Sequence, residues 1–211
     1  MAVPQRELTK DGFESQFGTN HLAHFLFFQL LKPTLLSSPT PDFHSRVVNV
    51  SSVGHRAGEV HFDDLTLNKN YSPWGAYGQS KTANIWMANQ VERLYGPSGI
   101  HGWSLHPGGI ASNLQRHVPE EQQRQWAENE TVVRFMKTPE QGAATQVWAA
   151  VAKDLEGKGG KFLEDCEVVG PVKKGAMAVG IDRGYAEWAY NQEKEERLWR
   201  VSCELVGVND H

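Results

Sequence analysis

Arg46-Val47-Val48-Asn49-Val50-Ser51-Ser52 is a short β-branched run, uncharged after its first residue, that ends abruptly in two hydroxyls. Such a run suits a central strand of a parallel sheet, buried on both faces, and the predicted strand covers 46–50. Upstream, Asp11 and Glu14 stand at capping-box spacing before Phe13, Phe17, Phe25, Leu26, Leu30 and Leu31. That pattern predicts a helix over about 12–31, with one apolar stripe, ended before Pro33. Downstream, 54–74 carries little periodicity, and a second helix is expected from near Tyr77 to Leu94, closed by Gly96, Pro97 and Gly99.

A second strand, His101 to Leu105, ends at His106-Pro107-Gly108-Gly109. Thr138, Pro139 and Gln141 supply an N-cap, a first-turn proline and a capping-box partner for a helix to about Lys153. After Gly157-Lys158-Gly159-Gly160, a third strand is expected within 161–169, then a final helix over 185–205 burying Leu198, Val201 and Leu205. Strands spaced by helices predict one α/β domain over 1–211, a parallel sheet covered on both faces. In such sheets ligands gather beyond the carboxyl ends of the strands, where Ser51-Ser52 and His106-Pro107-Gly108-Gly109 both fall.

The 211 residues are 39% hydrophobic, enough for a core without metal or disulfide staples. With 21 Lys plus Arg against 25 Asp plus Glu, the net charge of −4 gives no global attraction to nucleic acid or anionic lipid. Cys166 and Cys203 form no disulfide framework and read as reduced, small core residues of a cytoplasmic protein. No stretch reads as a signal peptide or a transmembrane segment, and the seven tryptophans follow no repeat.

Tyr77 and Lys81 lie four apart, one above the other on a helix face. A fixed cation favours the phenolate, and such a pair can pass a proton to or from a carbonyl or alcohol oxygen. The same spacing also occurs on solvated helices. Ser52, closing the strand, could hold a substrate oxygen beside the phenol or could simply cap a turn. Asn20 sits among apolar residues, where an amide needs partners, or else on an exposed helix face.

Glycine-Thr19-Asn20-His21-Leu22-Ala23-His24 and onward to Phe28, Ser45 to Ser52, Ala76 to Lys81, and His106 to Ser112 resemble successive motifs of the classical short-chain dehydrogenase/reductases, in the retinol-dehydrogenase-like and WW-domain-oxidoreductase-like branch. The likeness continues through 138–148, 160–166 and 196–208 and so covers nearly the whole chain. It implies a catalytic tetrad of Asn20, Ser52, Tyr77 and Lys81. Tyr77 would be the acid/base and Lys81 would lower its pKa and bind the nicotinamide ribose. Ser52 would orient the substrate carbonyl, and Asn20 would hold a relay water.

Pro107, Gly108, Ile110 and Ser112 would contact the nicotinamide half of NAD or NADP, together with Tyr77 and Lys81; Ser112 stands where many members carry Thr. The family's glycine-rich turn for the pyrophosphate has no counterpart here, since the Gly54 to Gly58 spacing falls after Ser52 and reads as turn glycines. Met1-Ala2-Val3-Pro4 resembles the sequence that follows the family's Asn-Asn-Ala-Gly motif. About 80 to 90 residues of a typical member, with four of seven strands, would then be missing, leaving an incomplete Rossmann-like three-layer sandwich.

The resemblance implies an NAD(P)-dependent oxidoreductase acting on a small-molecule carbonyl or alcohol. The alternative is an inactive, truncated homologue that binds a partner or assembles, and a homodimer or other self-association is expected. Residues 113–136 would form a substrate lid, with Leu114, Val118, Trp126 and Phe135 as its apolar surface. His21 and His24 are three apart on a helix but have no evident third ligand, so no metal site is expected.

Overall fold

The computed structural model describes residues 1–173 and 182–210. Its first helix opens with α1 (Ser15–Phe17), runs through a π-turn at Gly18–Leu22 and continues as α2 (Ala23–Ser37). Glu14 itself is the N-cap, its carboxylate accepting from the backbone N–H of Gln16 and Phe17 at 2.9 and 2.8 Å, so the expected Asp11/Glu14 box is displaced by one turn. A turn bridging Leu8 to Glu14, with Gly12 at φ +84°, occupies the residues before it. Pro33 lies inside α2 rather than beyond its end. It faces solvent, and the packing of Phe28 and Leu35 on the core carries the helix past its missing N–H.

The π-turn also breaks the expected apolar stripe. Phe17, Phe25 and Phe28 are buried, whereas Leu30 and Leu31 are 69% and 39% exposed. One extra residue in a turn advances the helix phase by about 100°, which carries Leu30 and Leu31 away from the core.

Strand β1 (Ser45–Val50) is followed by a 3₁₀ turn at Val53–Ala57 and then α3 (Pro73–Tyr95), which starts one turn before the expected Tyr77 because Ser72 caps it and Pro73 fills its first position. Then come β2 (Ile100–His106), β3 (Gly109–Ile110), α4 (Glu120–Glu128), α5 (Glu130–Phe135) and β4 (Met136–Lys137). Helix α6 (Pro139–Val151) begins with the expected Thr138/Gln141 capping box. The third strand is a hairpin, β5 (Lys161–Glu164) and β6 (Glu167–Val168), and α7 (Gln192–Val206) ends the described fold.

The main sheet has the order β1-β2-β5-β6, parallel except for β6. It is therefore α/β and mostly parallel, but mixed, because Asp165 and Cys166 at φ +53° and +56° turn the chain straight back. Cys166 is half-buried in that turn and only Cys203 is a core residue. Alternate residues of β1 point to opposite layers. Val47 joins Phe25, Phe28, Met87, Val91, Ile100 and Trp199 under α2, α3 and α7, while Val48 joins Trp103, Leu105, Ala149 and Leu163 under α6. On α7 the buried face is Leu198, Trp199, Ser202 and Cys203, not the expected Leu198/Val201/Leu205 stripe; Leu205 is 37% exposed. The helix starts at Gln192, after a separate turn at Glu187–Ala189, and wraps Trp199 against Phe25 and Phe28.

Strand β1 reads locally as a central strand, and with the expected loss of its neighbour it is an edge among the described residues, paired only with β2. Its register runs Ser45↔Ile100 to Val50↔Leu105, and its other side offers unpaired backbone groups without a charge or proline after Arg46. Several histidines are buried in the fold, His21 and His55 among them. Burial drives His21 down to about 3, and His55 down to about 4 against a hydrogen bond to Ser52 that pulls upward.

Two outcomes are expected. Light scattering on the purified 211-residue chain should show association that rises with concentration, and alternate amides of 45–50 should exchange rapidly. A monodisperse monomer with all of these amides protected would contradict the open edge. Separately, because the unfolded chain protonates His21 and His55 near 6.5 while the fold holds them neutral, stability is complete above that pH and declines below it. By pH 5 each ring should cost about 2 kcal/mol, seen as a falling unfolding midpoint; a midpoint unchanged between pH 7 and 5 would refute this.

Candidate active site

The site is built where β1 ends against α3. Ser51 Oγ donates to the Lys81 carbonyl at 2.8 Å, and Asn84 Nδ2 donates to the Val50 carbonyl at 3.2 Å. The Ser51 N–H bonds the Leu105 carbonyl at 2.8 Å, so the carboxyl ends of β1 and β2 are held side by side. Ser52 then caps the 3₁₀ turn, its Oγ accepting from the Gly54 N–H at 3.0 Å. The capping role left open by the sequence is thus filled, and the same hydroxyl also borders Tyr77.

Tyr77 is only 4% exposed. A Cβ on Gly54 would stand 2.7 Å from Tyr77 Cε1 and 3.3 Å from Ser52 Oγ, so the bare backbone of Gly54 is what lets phenol and hydroxyl share this corner. Gly58 and Gly78 bring the loop onto the helix in the same way: a Cβ on Gly78 would lie 2.6 Å from the Gly58 nitrogen. These glycines serve close approach, and Gly58 at φ −169° is ordinary extended backbone rather than a turn glycine.

Burial raises the Tyr77 phenol above its ordinary value, and the neighbouring Ser52 hydroxyl acts in the opposite direction. Lys81 is itself lowered to about 8 by burial. Its ammonium donates to the Val50 carbonyl at 3.1 Å and lies 5.6 Å from the Tyr77 ring centroid. The expected lowering of Tyr77 by Lys81 is therefore not what this arrangement produces, because the cation is turned toward the strand end.

Asn20 lies in the π-turn and is half-buried. Its Nδ2 donates to Ser80 Oγ at 3.0 Å, and Ser80 Oγ donates to the Tyr77 carbonyl at 2.8 Å. The amide has found its partners, bracing the turn of α3 that carries Tyr77. The Asn20 carbonyl meets His24 Nδ1 at 3.0 Å, while His21 Nε2 meets Ser202 Oγ at 2.9 Å in the core. His21 and His24 thus serve separate contacts.

Beyond β2, Gly108 adopts φ +103°, and β3 pairs with β4 through Gly109↔Met136 and Ile110↔Lys137. Lys137 Nζ donates to the Pro107 carbonyl at 3.3 Å and pairs with Asp165. The Ile110 side chain packs over Gly142 of α6, where a Cβ would be 2.6 Å from it. Ser112 caps the turn at Asn113–His117 in a reciprocal box with Gln115. In the expected lid, Trp126 meets Trp74 edge-on at 6.1 Å, and Trp74 meets Tyr77 at 6.0 Å, which links α4 to the phenol through one indole. Val118 is buried, whereas Leu114 and Phe135 are 45% and 52% exposed.

Sequence reasoning missed Gly54, Ser80, Asn84 and His55. His55 Nδ1 bonds the Ser52 carbonyl at 2.6 Å, and its Nε2 accepts from the Ala186 N–H at 3.0 Å, tying the site to the segment before α7. Ser80 and Asn84, three and seven residues after Tyr77 on one face, were readable from helical spacing.

No family model matches the chain. It is 49% identical over 211 residues, its whole length and 61% of the relative's, to the short-chain dehydrogenase/reductase prx1 of Penicillium roqueforti. It is 37% identical over 216 residues to human polyprenol dehydrogenase, covering 100% of this chain and 59% of that one. Against human retinol dehydrogenase 11 the identity is 37%, over 95% of this chain and 56% of the relative. A solved structure of an uncharacterised Mycobacterium paratuberculosis protein superposes with a TM-score of 0.66 at 31% identity, covering 99% of this chain and 64% of that one. A 3-hydroxyacyl-CoA dehydrogenase type-2 from Mycobacterium avium shares the fold, with a TM-score of 0.55 at 17% identity. The chain spans about three fifths of the length of the curated relatives it matches, and over that span it belongs to the short-chain dehydrogenase/reductase family.

Proposed function

We propose that the protein is an NAD(P)-dependent oxidoreductase that interconverts a carbonyl and an alcohol on a small-molecule substrate, with Tyr77 as general acid/base. The observation that carries this reading is the buried Tyr77 phenol packed against Ser52 over Gly54, at the carboxyl end of the sheet. In the reduction direction, Tyr77 Oη gives its proton to the developing alkoxide and becomes phenolate; in oxidation it takes the proton back. Ser52 donates to the same substrate oxygen and fixes the carbonyl. Asn20 positions Tyr77 through Ser80.

The residues fit the nicotinamide half of the cofactor. Lys81 uses one ammonium donor on the Val50 carbonyl, leaving others for ribose hydroxyls. Gly108 and the short extended Gly109–Ile110 strand offer backbone, and Pro107, Ile110 and Ser112 frame them. A bound nicotinamide dinucleotide supplies the two-electron redox chemistry as hydride. A ribose-bound Lys81 that leaves Val50 would bring its charge to bear on Tyr77 and lower the phenol. Among the described residues no glycine-rich turn joins a strand to a helix N-terminus in the manner that receives a pyrophosphate.

Apolar Trp74 and Trp126 beside Tyr77 favour a substrate with a hydrophobic body. The free thiols of Cys166 and Cys203 support a reducing, cytoplasmic setting, and no helix among the described residues is long and apolar enough to cross a membrane. The net charge of −4 supports neither nucleic-acid nor polyanion binding, and exposed Phe27, Leu30 and Leu94 support self-association.

In any form that turns over, Tyr77→Phe should lower kcat about 10²- to 10⁴-fold with an unchanged circular-dichroism spectrum. A loss under about threefold would remove Tyr77 from the acid/base role. The 211-residue chain by itself should bind NADH and NADPH more weakly than about 1 μM in calorimetric titration, and tighter binding would contradict the half-site reading.

A further inference from the structure

At the amino ends of the parallel strands, opposite the site at their carboxyl ends, three ligand-bearing side chains converge. His44 precedes β1, His101 lies on β2, and Glu156 follows the turn after α6; their ligand atoms all lie within 4.8 Å of one another. His44 Nδ1 is 3.0 Å from His101 Nε2 and 3.5 Å from Glu156 Oε1. A tetrahedral zinc with Zn–N and Zn–O bonds near 2.0–2.1 Å places neighbouring ligand atoms about 3.3 Å apart. The two observed separations bracket that value.

The surrounding contacts orient these atoms as a metal requires. His101 Nδ1 donates to the Glu92 carboxylate at 3.0 and 3.1 Å, which leaves its Nε2 lone pair aimed at His44. Glu92 is fixed in turn by the Gly102 N–H at 3.1 Å. A ligating histidine backed by a carboxylate is the usual outer-shell arrangement at zinc. Glu156 is held by Arg46 Nη2 at 2.8 Å and by the His44 N–H at 2.9 Å, and Arg46 is anchored on the Ala149 and Ala152 carbonyls. The proton now shared by the two rings occupies the place of the ion, and a tautomer exchange at His44 turns its Nδ1 from donor to ligand. Two carboxylates, Glu92 and Glu156, against one guanidinium leave the cluster receptive to a cation. His101 is buried, while the His44 and Glu156 side chains are 34% and 25% exposed, so an ion can enter and keep a water ligand.

We propose that His44, His101 and Glu156 form a site for a divalent first-row metal ion of the zinc type, clasping the starts of β1 and β2 to the turn after α6. Its chemistry is independent of the oxidoreductase site. The test uses the untagged, chelator-treated 211-residue chain. Titration with Co²⁺ should produce one equivalent of visible ligand-field absorption, displaced by Zn²⁺, and Zn²⁺ should raise the unfolding midpoint. His44→Ala and Glu156→Gln should each abolish the absorption and the stabilisation, and Glu92→Gln should weaken binding about 10- to 100-fold. Near-UV circular dichroism checks that the variants fold; if His44→Ala does not, Glu156→Gln decides. Absence of binding at about 100 μM Zn²⁺, or binding unchanged in the folded variants, would overturn the site and leave a hydrogen-bonded histidine pair.

Discussion

The corner that holds Ser52 and Tyr77 exists only because backbone is allowed to touch backbone. The turn after β1 lies so close to α3 that a single methyl at Gly78 would fall 2.6 Å from the Gly58 nitrogen, and one at Gly54 would strike the Tyr77 ring. This closeness brings Ser52 to the phenol, buries Tyr77 and lets Thr82 donate to the His55 and Gly58 carbonyls at 3.1 and 2.7 Å. A wider spacing would put water between Ser52 and Tyr77 and remove the low-dielectric setting in which a positioned donor is effective.

Within that setting charge is unevenly compensated. The phenol is raised because burial disfavours its anion, and the Lys81 ammonium spends a donor on the strand carbonyl. Lys81, lowered to about 8, is a group whose protonation a neighbour can readily change. Tyr77 and Lys81 therefore share one helix face, yet the ammonium is directed to the Val50 carbonyl while it lies 5.6 Å from the Tyr77 ring centroid.

The parts of the fold that were legible in sequence are those set by local chemistry. Thr138-Pro139-Glu140-Gln141 announced its helix because the cap, the proline and the capping glutamine act within four residues. Val47 and Val48 announced a strand buried on both faces, and they do divide between two core layers. That β1 lies at an edge is not visible in its own residues, which read as a central strand; it followed only from the family likeness, in which the strands expected to be missing include its neighbour. The motif residues Ser52, Tyr77 and Lys81 could be placed at a strand end and one helix face, yet the direction of the Lys81 side chain is decided by Val50 and Asn84, which periodicity does not rank. Gly54 and Gly58 looked like turn formers because sequence reports flexibility and not the distance to the next element.

The π-turn at Gly18–Leu22 has a consequence for how this helix tolerates change in length. Deleting one residue there would leave a continuous, regular α-helix, with no hydrogen bond lost to solvent and no helix-breaking residue introduced. Yet the two halves would turn against each other by about 100°, so that either Asn20 leaves Ser80 or Phe25 and Phe28 leave Trp199. The surplus residue works as a keyway: it fixes the angle between the half of the helix that braces the Tyr77 turn of α3 and the half that anchors the core, and only an insertion or deletion, not a substitution, would unlock it.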